Sequence, residues 1–112
     1  DCKFDLYLRE DTGGEFYLIH DKGCIPRIKV GADYENWEDV VSVFLHELQE
    51  MVLEKLGCRF VQNNNFSKDH SQYIFMMNHV NFSEMCYRSA SALTVSLPDL
   101  AMAWKKWQGK TK

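Results

Sequence analysis

Apolar residues fall on every second position at the start of the chain. Phe4, Leu6 and Leu8 alternate with Lys3, Asp5, Tyr7 and Arg9, the period of a strand with one buried face. Turn chemistry follows in Glu10-Asp11-Thr12-Gly13-Gly14. Phe16-Tyr17-Leu18-Ile19 then reads as a second strand, and the pair is predicted to form a hairpin. Gly23 and Pro26 break the pattern before a third short strand, Arg27-Ile28-Lys29-Val30, where the proline suits a strand start or an edge. The expected product is a three-stranded antiparallel meander.

From Asn36 onward the period changes. Asn36 and Asp39 have the spacing of a helix start. Trp37, Val40, Val41, Phe44, Leu45, Leu48, Met51, Val52 and Leu56 then recur at helical intervals up to Gly57. The face bearing Val41, Phe44, Leu45, Leu48 and Val52 is expected to pack on the sheet. Cys58 to Gln62 reads as a short strand, and Asn63-Asn64-Asn65 with Ser67-Lys68-Asp69 as a polar loop. Tyr73 to Met77 fits a strand and the first turns of a helix equally well. Asn81 with Glu84, and Ser96 with Asp99, repeat the helix-start spacing, with Pro98 in the first turn of the second. Two C-terminal helices are therefore predicted, one through about Val95 and one from Leu97 towards Gln108. The fold class is α+β: a meander packed on a central helix, followed by two helices.

Length and composition narrow this picture. With 112 residues, 46% of them hydrophobic, the chain is expected to be one domain over residues 1–112 with a sizeable core. Its net charge of −3 comes from 16 acidic and 13 basic residues that are interspersed, so no nucleic-acid partner is expected. The basic cluster Lys105, Lys106, Lys110 and Lys112 reads as a solvated helix end. No apolar run approaches the about eighteen residues of a membrane span, and no signal peptide opens the chain, so no membrane association is expected. Cys2, Cys24, Cys58 and Cys86 lack CxxC spacing and are expected to be reduced thiols of a cytoplasmic protein. The other reading joins Cys2 to Cys24 across the predicted hairpin.

The chemistry concentrates in His46-Glu47-Leu48-Gln49-Glu50. At about 100° per residue, His46 and Glu50 share one helical stripe and reach one point in space, while Glu47 projects to a neighbouring stripe. Val43 and Leu53 bracket the pair at helical spacing, which predicts a second, partly covered face, most simply covered by the segment from His70 to Glu84. The run resembles the zinc-binding helix of HExxH-type, zincin-like metallopeptidases, with Glu50 where the second histidine stands. That resemblance implies a metal held by His46 and Glu50, with Glu47 polarising water as general base. A carboxylate in place of an imidazole shifts preference towards harder ions, so zinc is expected first and manganese second. The third ligand is sought among Asp69, His70, His79 and Glu84, with His70 and His79 favoured.

Two functions from different classes follow. One is a small metal-binding protein acting as a metal-dependent hydrolase. The other is a non-catalytic binding or inhibitor module of phage or mobile-element type, whose His46–Glu50 pair is a hydrogen-bonded i, i+4 pair or holds a structural ion. In the second, an edge strand and the Trp104–Trp107 helix are the surfaces offered to a protein, a peptide or a second copy of the chain. No P-loop, GxSxG elbow or dinucleotide fingerprint is present.

Overall fold

Gly31 organises the sheet. The computed structural model describes residues 4–17, 26–61 and 73–111, and within them strand β3 (Arg27–Gly31) lies between β1 (Asp5–Arg9) and β2 (Gly14–Tyr17). β1 runs parallel to β3, with Leu6 opposite Ile28 and Leu8 opposite Val30. β2 runs antiparallel to it, with Phe16 opposite Ile28. The sheet is thus mixed, not an antiparallel meander, and β1 and β2 are not a hairpin.

The reason lies in the turn. Residues 10–13 span two strand spacings, about 9.6 Å, and their carbonyls cap the end of β3. The Gly31, Ala32 and Asp33 amides donate to the Gly13, Arg9 and Asp11 carbonyls at 2.6, 2.9 and 3.1 Å. Arg9 braces the turn through Asp11 (2.8 Å) and the Thr12 carbonyl (2.9 Å), and the Tyr34 hydroxyl accepts from the Gly13 amide at 2.7 Å. A Cβ on Gly31 would collide with the Asp11 and Gly13 carbonyl oxygens, so only glycine admits the turn. Flanked on both sides, Ile28 and Val30 are fully buried.

Helix α1 (Trp37–Lys55) covers the inner face of this sheet. Its start is where the apolar period places it, although the Asn36 side chain makes no capping bond. It stops at Gly57, whose φ of +74° permits a Schellman turn. The Gly57 amide donates to the Glu54 carbonyl (3.0 Å) and that of Cys58 to Leu53 (2.8 Å). The most buried side chains are Val40, Phe44, Leu48, Met51 and Val52, whereas Val41 and Leu45 are half-buried. The packed face is therefore turned about 45° from the expected one, towards Glu47.

The chain reverses at Gly57 into β4 (Arg59–Val61), which pairs antiparallel with β5 (Tyr73–Phe75), so the ambiguous segment after residue 72 starts as a strand. A single helix, α2 (His79–Thr111), replaces the two predicted C-terminal helices. Its cap is Asn78, whose Oδ1 accepts from the Asn81 amide at 2.8 Å, three residues before the expected start. Pro98 sits inside this helix on its exposed side, where the carbonyl left without its usual donor is open to water. Packing continues past it: Met85, Ala92, Leu100 and Trp104 all join the core. Trp104 stacks on Trp37 with centroids 5.5 Å apart and donates its indole N–H to the Ala32 carbonyl at 3.1 Å. Among the described residues, no helix is long and apolar enough to cross a membrane.

Candidate metal centre

The turned packing face decides how the His46-to-Glu50 run is presented. Glu47 rolls under β2, Glu50 sits at the margin, and His46 faces solvent. Their side chains are respectively buried, 15% exposed and 71% exposed. One donor atom from each of His46, Glu47 and Glu50 falls within 4.8 Å of the others, so all three converge on one point. His46 Nε2 lies 3.2 Å from Glu50 Oε2.

Two residues that the sequence did not single out hold this arrangement. Arg59 returns beside the helix because Gly57 reverses the chain. Its guanidinium reaches Glu50 Oε1 at 3.1 Å and Glu54 Oε2 at 3.0 Å, and it lies 5.2 Å from the Phe16 ring centroid. Oε1 of Glu50 is thereby fixed and Oε2 is left aimed at His46. Gly14 is the other. A Cβ there would come within 2.7 Å of Val43 Cγ1 and 3.0 Å of Glu47 Cγ, so the glycine lets β2 cross the Glu47 stem. An arginine just past a helix-stopping glycine, and acids one and two turns back, is the only sequence signal that pointed to Arg59.

The face carrying Val43 is covered by β2 among the described residues, whereas the sequence pointed to the segment from His70 to Glu84. Of the residues proposed as third ligand, His79 is exposed at the first position of α2 and is not part of the converging group. Glu84 pairs instead with Arg88 at 2.8 Å. Asp69 and His70 lie outside the described residues, as do Cys2 and Cys24. Cys58 is a buried free thiol and Cys86 an exposed one.

Burial raises the Glu47 carboxyl pKa above its ordinary value; Glu50 and Glu15 push the same way, against His46 and Arg9. No fully buried side-chain oxygen or nitrogen among the described residues lacks a partner, so the Glu47 carboxylate keeps access to the surface at His46. The folded protein then holds a proton on Glu47 more readily than the unfolded chain does. Its contribution to stability is complete below the ordinary carboxylate range and is lost as pH rises through the elevated folded value. Glu47→Gln is therefore expected to raise the melting temperature of metal-free protein by a few degrees at neutral pH and to make no difference near pH 4. A difference that stays constant across this range would show that Glu47 is not desolvated.

Comparison with family models, curated proteins and solved structures yields no match for this chain. The centre is therefore interpreted from its own chemistry.

Proposed function

We propose that the protein binds one divalent cation, zinc or manganese, at His46 and Glu50, and acts as a small metal-dependent hydrolase with Glu47 as general base. The observation that carries this reading is the convergence of an imidazole nitrogen and two carboxylates within 4.8 Å at the rim of a packed helix. Nitrogen and oxygen donors suit both ions. His46 Nε2 and Glu50 Oε2, 3.2 Å apart, are the two donor atoms that a cation would bridge. Arg59 supplies the outer hydrogen bond that orients a ligating carboxylate.

The cation would supply Lewis acidity there. Glu47, next to His46 along the helix and raised in pKa by burial, is suited to accept the proton of an attacking water at neutral pH. β2 crosses the helix over Glu47 and, among the described residues, pairs only with β3. An extended peptide added to its free edge would pass beside the centre, which makes a polypeptide the substrate class that fits best.

Arg59 also favours a second reading, because it already neutralises Glu50 without any ion and a structural pair would need nothing more. The two readings part on Glu47. Metal-loaded wild-type protein is expected to cleave an unfolded polypeptide substrate. Glu47→Gln should keep the metal and lose at least about 100-fold in rate, the usual share of a general base. Metal bound with equal or absent turnover in both proteins would leave a structural ion and overturn the hydrolase.

A further inference from the structure

α2 is apolar on two opposite sides, and only one of them is used by the core. Met85, Ser89, Ala92, Leu100 and Trp104 face inward. On the opposite side, within an arc of about 80° at 100° per residue, lie Val80, Tyr87, Val95 and Met102, which are 74%, 71%, 71% and 61% exposed, with Glu84 and Pro98 between them. An amphipathic surface helix carries charge and polarity on its outer side. A row of large apolar side chains there marks a contact surface.

The spacing of the row identifies what it contacts. Val80 and Met102 lie eleven residues before and after Ser91, and Tyr87 and Val95 lie four before and four after it. Ser91, exposed and small, is flanked at the same level by Ala90 and Thr94. A row symmetric about a small residue is self-complementary under a two-fold axis, the property an isologous interface requires. We propose that the chain forms a homodimer through the outer face of α2, with two copies crossing antiparallel at Ser91. Tyr87 then meets the partner subunit's Val95, and Val80 meets the partner subunit's Met102. The short side chain at the crossing lets the axes approach to about 8–10 Å.

Charge agrees with this occupant. A parallel pairing would set Glu84 against its own copy and bring both sets of Lys105 and Lys106 together. The antiparallel one places the two Lys105 residues about 42 Å apart, at 1.5 Å per residue, and opposes the helix dipoles. The row runs about 33 Å along a helix about 10–12 Å wide. Counted on both copies, a strip of that size comes to about 650–800 Å², below the roughly 1,200–2,000 Å² of stable specific interfaces and in the range of weak, transient ones. A reversible dimer is therefore expected.

Sedimentation of the full chain across a concentration series tests the association, and Ser91→Cys tests its geometry. Wild type is expected to move from monomer to dimer within the micromolar range, and Tyr87→Glu to raise the dissociation constant about tenfold or more. Because Tyr87 is exposed, an unchanged circular dichroism melt of the variant monomer separates lost association from lost folding. In a Cys86→Ser background, Ser91→Cys should oxidise to a linked dimer, since the two-fold puts residue 91 beside its own copy at disulfide distance. Val80→Cys, about 33 Å from its copy, should not gain any link. A chain that stays monomeric overturns the proposal, as does a dimer indifferent to Tyr87→Glu or one that links equally through Val80→Cys.

Discussion

Phe44→Ala is expected to cost about 3–5 kcal/mol of folding stability, a large part of the 5–15 kcal/mol that holds a domain of this size together. Phe44 is fully buried at the centre of α1, and its ring lies 6.0 Å from that of Phe4 beside β1. Truncation removes the aromatic contact and leaves a cavity between helix and sheet, a space the surrounding strands cannot collapse to fill. Val41→Ala, on the face that the sequence favoured but the structure leaves half-buried, should cost well under half as much. Urea denaturation of the two variants side by side measures this. Equal losses would mean that the helix packs with the face centred on Val41, Leu45 and Leu48 after all.

Trp104→Ala should be comparably severe, again about 3–5 kcal/mol. The indole is 8% exposed, packs on Trp37 and donates to the Ala32 carbonyl, which also accepts from the Tyr34 amide at 2.9 Å. It thus joins the end of α2 to the start of α1 and to the exit of β3. Trp104→Phe separates the two contributions. It keeps most of the ring but removes one of the two donors to the Ala32 carbonyl, which costs about 0.5–1.5 kcal/mol. A phenylalanine variant as stable as wild type would show that the Tyr34 amide suffices for the carbonyl and that ring packing alone anchors the helix.

Local patterns predicted β1 to β4 and the whole of α1, because each depends on residues near in sequence, and left β5 open between strand and helix. Phe4, Leu6 and Leu8 face inward as their alternation requires, and Gly57 stops α1 as its position requires. What went unread depends on distant contacts. A Gly-rich turn between two apolar runs ordinarily makes a hairpin, and nothing local to it reveals that β3 will slot between the strands. That outcome rests on Gly31, eighteen residues beyond Gly13. Pro98 after Ser96 has the local form of a helix start, yet Leu97, Leu100 and Trp104 bind the same core that holds Ala92 and carry the helix through. The approach of His46 to Glu50 was legible from helical spacing, with Glu47 on the neighbouring stripe. The burial of Glu47 was not, since it follows from the turned packing face, and the role of Arg59 follows from a chain reversal.

The proposed chemistry stands on a cation held by His46 and Glu50 beside Glu47. The measurement is a calorimetric titration of chelator-stripped protein with zinc and with manganese, on wild type and His46→Ala in parallel. One ion per chain is expected for wild type. Its affinity should fall as pH drops, because metal ligands must be deprotonated and protons compete with the ion for them. At free metal one hundred times the dissociation constant, the fold should gain about 2.7 kcal/mol. His46→Ala should lose the binding while keeping the metal-free melting temperature, since His46 is largely exposed. If wild type takes up neither ion, or if His46→Ala binds as wild type does, the metal centre is contradicted and the Arg59–Glu50–His46 network is structural.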